Sequence, residues 1–198
     1  MSSPAPASPR GRPEATSHTA IEQAAFRLFA RRGFSATTLE EIAAEVGVGK
    51  RTLFRYYPSK NDIPWGQFQR TLDDLRATLA AMPADLPVHE AVHRAVLEFN
   101  RFPPDAEPGH RDRMRLILTT PELQAHSVHQ YAAWRGVIAE FVARRRGCAP
   151  TDVAARLAGH VSLALAITAY EVWLDDEAAD LAEVLGRTLG ELERYLAE

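Results

Sequence analysis

Residues 34–60 read FSATTLEEIAAEVGVGKRTLFRYYPSK, and this run decides the fold. Thr38 followed three residues later by Glu41 predicts a capping box, in which a hydroxyl and a carboxylate satisfy backbone donors at a helix start. Leu39, Ile42, Ala43 and Val46 then fall at i, i+3, i+4 and i+7, one apolar helix face. Gly47 stands where the chain must turn, because glycine takes positive φ at no steric cost. Val48 plugs the turn, and Gly49 opens the next helix without a side chain in the way. Leu53, Phe54 and Tyr57 anchor a short helix over residues 50–56, leaving Lys50, Arg51, Thr52, Arg55 and Tyr56 outside. Two helices joined by a tight turn, the second bearing cations, predict a helix-turn-helix that lays its second helix in the DNA major groove.

On the N-terminal side, Ile21, Ala24, Ala25, Leu28 and Phe29 form the stripe of a helix over 17–32, stopped at Arg31, Arg32 and Gly33. On the C-terminal side the periodicity predicts helices at 60–81, 88–101, 108–119, 121–126, 127–146, 151–174 and 177–197, with Pro83, Pro87, Pro103 and Pro104 as breaks. No strand pattern and no repeat is visible, so the expected class is all-α. Three parts are expected. Residues 1–15, rich in Ser, Pro, Ala and Gly, form a disordered arm; 16–62 form the DNA-binding domain; 63–198 form a helical effector-binding and dimerisation domain. The 151–174 helix is apolar nearly all round between Val161 and Ile167, and such a helix is buried on every side. Together with the stripe Leu181, Val184, Leu185, Leu189 and Leu192 of the last helix, it predicts a homodimer through residues 151–197, with Leu165 and Leu189 inside the interface.

The composition sets bounds. A chain of 198 residues with 46% hydrophobic content can build one or two small cores. A single cysteine, Cys148, excludes an internal disulfide and a multi-Cys zinc site. No uninterrupted run of 18 apolar residues exists and the first fifteen residues lack a signal core, so no membrane partner and a cytoplasmic location are expected. The net charge of −3 divides unevenly: residues 1–62 carry +3 and residues 63–198 carry −6, a basic head on an acidic body. Only two lysines occur, Lys50 and Lys60, and both lie in or just after the second helix of the motif.

The sequence LFARRGF at 28–34, followed by TTLEEIAAEVGV and a short helix closing on YYPSK, resembles the tetracycline-repressor (TetR) family over residues 17–63. SKNDIPWGQF at 59–68, MRLILTTPELQAHS at 114–127, YAAWRGVIAEFV at 131–142 and AYEVWL at 169–174 are similar to the regulators found with mycofactocin biosynthesis clusters. The resemblance implies a ligand-released repressor on a palindromic double-stranded operator, without a cofactor and without catalytic residues. It implies that Lys50, Arg51 and Thr52 face base edges, with Arg51 bidentate to guanine, and that Thr38, Tyr56 and Lys60 hold phosphates. Phe54 departs from the tyrosine common at that position in the family. A long-chain acyl-CoA is the implied effector. Its chain would enter among Phe99, Trp134 and Phe141, and Arg113 or Arg115 would meet its phosphates; another hydrophobic inducer is the alternative.

Other motifs compete with this reading. His89-Glu90-Ala91-Val92-His93 is a literal H-E-x-x-H, which on a helix could hold zinc for a hydrolase. A peptidase needs a third ligand that no segment supplies, so half-exposed or pocket-lining histidines are expected here, structural or ligand-pocket histidines at His126 and His129, and no metal at either pair. Arg144–Arg145–Arg146 before Gly147 reads as a helix stop rather than a phosphate site. Arg10-Gly11-Arg12-Pro13 could enter a minor groove as a basic arm, or stay a solvated tail.

Overall fold

The computed structural model describes residues 16–103 and 105–198, so the arm at 1–15, with its Arg10–Pro13 motif, lies outside the described residues. The chain divides into two compact units, with the division between Ile63 and Pro64. All regular elements among the described residues are helical.

The first unit holds α1 (His18–Arg32), α2 (Leu39–Glu45) and α3 (Lys50–Leu53). Ser17 caps α1 by accepting a hydrogen bond from the Ala20 N–H at 3.1 Å. Gly33 stops it at φ 82°, donating its N–H to the Phe29 carbonyl at 2.8 Å. Thr38 and Glu41 form the expected capping box of α2. Gly47, at φ 70°, makes the turn, and the Val48 N–H closes it on the Ala43 carbonyl at 2.9 Å. The third helix is one α turn rather than the two expected over 50–56. Residues 54–57 continue it as looser turns, with the Tyr57 N–H still reaching the Leu53 carbonyl at 3.0 Å. Ile21, Ala24, Ala25, Ile42 and Leu53 are buried beneath all three helices.

A 3-10 helix, Lys60–Trp65, spans the division, and Gly66 follows at φ 59°. One helix over 60–81 was expected. Pro64, which lacks an N–H, and the left-handed Gly66 break it, and α4 (Phe68–Ala80) starts after them.

The second unit is a bundle of α4, α5 (Val88–Phe99), α6 (His110–Thr119), α7 (Pro121–Arg146), α8 (Val153–Asp175) and α9 (Leu181–Ala197). Where two helices were expected at 121–126 and 127–146, α7 is continuous, and the Ser127 hydroxyl bonds back to the Leu123 carbonyl at 2.7 Å across the supposed break. Pro121 is tolerated because it sits at the first turn. At the other end, Arg145 donates to the carbonyls of Pro83 (2.9 Å), Ala84 (2.8 Å) and Leu86, which fastens the α4–α5 turn. The middle of the three arginines is therefore a structural clamp.

α7 and α8 form the centre of the bundle. A Cβ at Gly159 would lie 2.8 Å from the Arg135 carbonyl oxygen, a distance no side chain accepts. Ala155, Ala166, Ala169, Tyr170 and Trp173 continue the inner face of α8. Its outer face is not buried within one protomer, so the all-round burial expected would have to come from a second subunit, as the sequence implies. Leu157 (58% exposed), Ala164, Thr168 and Val172 (44% exposed) form an open stripe at spacings of seven, four and four, with half-buried Val161 at its edge beside a cavity. By length and composition alone this helix could also cross a membrane. Leu165 and Leu189, expected in a dimer interface, line a cavity between α5, α8 and α9 within one protomer.

Gly159→Ala should drive α7 and α8 apart and cost roughly 1–3 kcal/mol, the usual penalty of overpacking. Thermal melts of the variant check it; an unchanged midpoint would mean the two backbones do not meet this closely.

Candidate nucleic-acid interface and effector cavity

The outward residues of α2 and α3 divide by what their hydrogens already do. A phosphate or a carbonyl on a base edge only accepts, so a contacting side chain must donate. The Lys50 ammonium is paired with the Glu40 carboxylate and lies 5.6 Å from the Phe54 ring centre. That pairing holds Glu40 below the usual carboxylate range. The Thr38 hydroxyl donates to the Glu41 carboxylate at 3.1 Å and accepts from the Glu41 N–H at 3.2 Å. The bond from the Thr38 N–H lowers the Glu41 carboxyl further. The Tyr56 hydroxyl donates to the Thr16 carbonyl at 2.8 Å, with the His18 ring edge-on to it at 5.0 Å. Lys60 donates to the carbonyls of Phe34 and Thr37, both at 2.8 Å, and more weakly to Ser35 at 3.4 Å. Its ammonium also sits 4.4 Å from the Phe34 ring centre.

Arg51 and Thr52 carry no such commitment. Arg51 is exposed, Thr52 is half-buried, and both sit in the first turn of α3. Arg55 shares their condition: it is exposed, four residues beyond Arg51, and has no ion-pair partner among the described residues. The sequence placed it outside but gave it no role; the i, i+4 spacing from Arg51 was the available signal. Of the six residues predicted to touch DNA, five lie on α2, α3 or the turns that flank them and Lys60 opens the following 3-10 helix, but four have their donors engaged within the protein.

In the second unit, Phe99, Trp134, Phe141, Arg113 and Arg115 do not form one site. Trp134 and Phe141 are 4% and 3% exposed, packed in the core, with Phe99 edge-on to Trp134 at 6.2 Å. Arg113 donates to the Pro64 carbonyl at 2.6 Å, whereas Arg115 is exposed. A cavity of about 180 Å³ lies elsewhere, between α5, the end of α7, α8 and α9, and none of the five lines it. His89 and His93 do line it. Burial lowers the His93 pKa, which keeps its ring neutral near pH 7. Among the described residues no three metal-ligating side chains come together, so the H-E-x-x-H spacing has no third partner.

A buried polar chain crosses the bundle nearby in sequence. The Tyr170 hydroxyl donates to the Asn100 amide oxygen and therefore accepts from His110 Nε2–H at 2.9 Å. Phe102 stacks on the His110 ring at 3.6 Å. Burial, reinforced by the Arg113 charge, lowers His110 to about 3, so it is neutral and Nδ1 carries a lone pair with no partner among the described residues. Arg111 stacks over Trp173 at 4.1 Å and donates to the carbonyls of Trp173 (2.5 Å) and Asp176 (3.2 Å), closing the end of α8.

Comparison with known proteins is consistent across both units. Residues 21–63 match the family of bacterial regulatory proteins of the tetR type, and residues 86–197 match the MftR C-terminal domain. A Mycobacterium tuberculosis protein assigned as the mycofactocin biosynthesis transcriptional regulator MftR is 45% identical over 176 residues, covering 89% of each chain. FadR of Thermus thermophilus, a TetR-family repressor solved in complex with lauroyl-CoA, superposes with a TM-score of 0.55 at 26% identity, covering 87% of this chain and 91% of its own. The fatty acid degradation regulator FadR of Bacillus halodurans superposes at 0.61 with 19% identity, covering 87% of this chain and 95% of its own.

Arg51 and Lys60 should respond differently to truncation. Arg51→Ala should leave the melting temperature unchanged, cost roughly 1–3 kcal/mol in operator binding and relax the preference at one base position per half-site. Lys60→Met should lower the melting temperature of the DNA-binding unit, because three carbonyls lose their donor. A Lys60→Met protein that melts like wild type and only flattens the salt dependence of binding would make Lys60 a plain phosphate contact.

Proposed function

The chain belongs to the TetR family of transcriptional regulators and is not an enzyme, and we propose that it is a dimeric repressor in the cytoplasm, released from a palindromic operator near mycofactocin genes by a long-chain acyl-CoA. The observation that carries the DNA-binding part is the short α3, presented by a capped α2 and the Gly47 turn, with Arg51, Thr52 and Arg55 uncommitted on its outside. One such turn reads only a few base pairs, and a two-fold dimer doubles the readout.

The dimer reading rests on the open stripe of α8. Four exposed residues of small or apolar type over four turns would not stay in water on a helix this apolar without a partner surface. The small residues Ala182, Gly186 and Gly190 on the outside of α9 allow close approach there too. This partner surface also accounts for the membrane-like composition of α8.

The effector reading rests on kinship. The mycobacterial relative is assigned to mycofactocin biosynthesis, and the Thermus repressor binds lauroyl-CoA. The 180 Å³ cavity is too small for such a guest, since drug-sized ligands occupy roughly 300–1,000 Å³. A long acyl chain must therefore part the core around Trp134 and Phe141. That requirement supplies a mechanism: a guest that fits only the parted bundle binds that conformation preferentially and shifts the protein towards it.

Two measurements test this. Leu157→Asp or Val172→Asp changes a side chain that is exposed in the single protomer, so the fold should survive while the dimer dissociates and operator binding falls; a variant that still sediments as a dimer removes α8 from the interface. Titrating a protein–operator complex with acyl-CoAs of increasing length should release DNA only above a threshold length, and free CoA should not release it. Equal release by free CoA, or no release at any length, overturns the effector.

A further inference from the structure

The cavity between α5, α8 and α9 has an asymmetric lining that the proposed function does not use. Val92, Val96, Val142, Leu165, Leu185 and Leu189 make apolar walls. Polar groups join them from three sides: His89 and His93 from α5, Arg146 from the end of α7, and Ser162 from α8. Arg146 is exposed and has no ion-pair partner among the described residues, whereas Arg145 beside it is held by backbone carbonyls. An unpaired guanidinium beside two imidazoles and an apolar recess is complementary to an anionic head on a short hydrocarbon tail, since guanidinium and carboxylate match bidentately.

We propose that this recess is a second ligand site, distinct from the acyl-CoA site and independent of that reading, which takes a small amphipathic monocarboxylate. The head meets Arg146 and the histidines, and the tail lies between α8 and α9. The volume of about 180 Å³ limits the guest to a short chain. His93, held neutral by burial, offers a ring N–H to the head, and Glu193, the acidic group that acts on it from α9, does not pair with Arg146. A metal ion fits less well, because the two imidazoles lack a third ligand. A second protein copy on the open stripe of α8 would reach the recess only at its edge, Val161, because Ala158 and Ser162 lie farther round the helix.

Isothermal titration calorimetry on the full chain tests the site with three probes: octanoate, 1-octanol (the tail without the charge) and acetate (the head without the tail). Octanoate should bind at least about ten-fold more tightly than either. Arg146→Gln should lower octanoate affinity about ten-fold, to the octanol level, and leave octanol unchanged. Ala158→Phe, which fills the recess, should abolish octanoate binding; Leu189→Phe serves if the first variant does not fold by circular dichroism. Lauroyl-CoA should not displace octanoate. Octanoate no tighter than octanol, an Arg146→Gln protein with wild-type octanoate affinity, or stoichiometric displacement by lauroyl-CoA would each overturn the second site. Failure of lauroyl-CoA to release DNA would leave it standing.

Discussion

The approach of α7 to α8 at Gly159 governs the second unit. With no room for a Cβ against the Arg135 carbonyl, the two longest helices lie backbone to backbone. That contact fixes which side of α8 faces inward. Once Gly159, Ala166 and Ala169 are committed to α7, helical geometry leaves Leu157, Ala164 and Val172 outside and places Leu165 between the two faces. The open stripe and the recess are therefore two consequences of one close packing. A larger residue at 159 would rotate or separate the helices and disturb both together.

The DNA-binding unit is organised by a different economy. Its cations and hydroxyls do not wait in water; Lys50, Thr38, Tyr56 and Lys60 each hold an internal acceptor. Exposed ion pairs such as Lys50–Glu40 are weak, so exchanging Glu40 for a phosphate or a base costs little. The internal bonds keep the long side chains from spreading over many rotamers, which reduces the ordering that binding demands. Lys60 differs from the others because it holds three backbone carbonyls of the loop between α1 and α2 at once. Removing it from them would loosen the loop that positions α2.

How far the fold was legible in the sequence follows from the range of each signal. The helix-turn-helix is written in neighbours: Thr38 with Glu41, Gly33 and Gly47 at turns, and apolar residues three and four apart. Its one error of extent, α3 shorter than 50–56, arises where Phe54 lies exposed instead of anchoring the helix. The body is written in contacts between distant residues, and there the reading slipped. The helix break placed near 127 ignored that Ser127 can satisfy a carbonyl within its own helix. Trp134 and Phe141, expected beside an acyl chain, lie in the core with Phe99 against Trp134; large aromatics suit a closed core and a ligand path alike, and the sequence does not separate the two. His89 and His93 were placed correctly on a pocket wall, since their i, i+4 spacing puts both on one face whatever they do there.

A closed core around Trp134 and Phe141 has a consequence for sensing. If the binding-competent bundle is a minor conformation, the apparent affinity for an effector falls by the fraction of protein that is open. The buried chain from Asn100 through Tyr170 to His110 weighs on that fraction. It links the end of α5 to α6 and α8 by hydrogen bonds, and an opening that separated these elements would strand polar groups that burial has made costly to leave unpaired. An apolar seam alone would yield to any sufficiently greasy guest. A seam fastened by a hydrogen-bonded chain yields only to a guest whose contacts repay those bonds, and this raises selectivity at the expense of affinity.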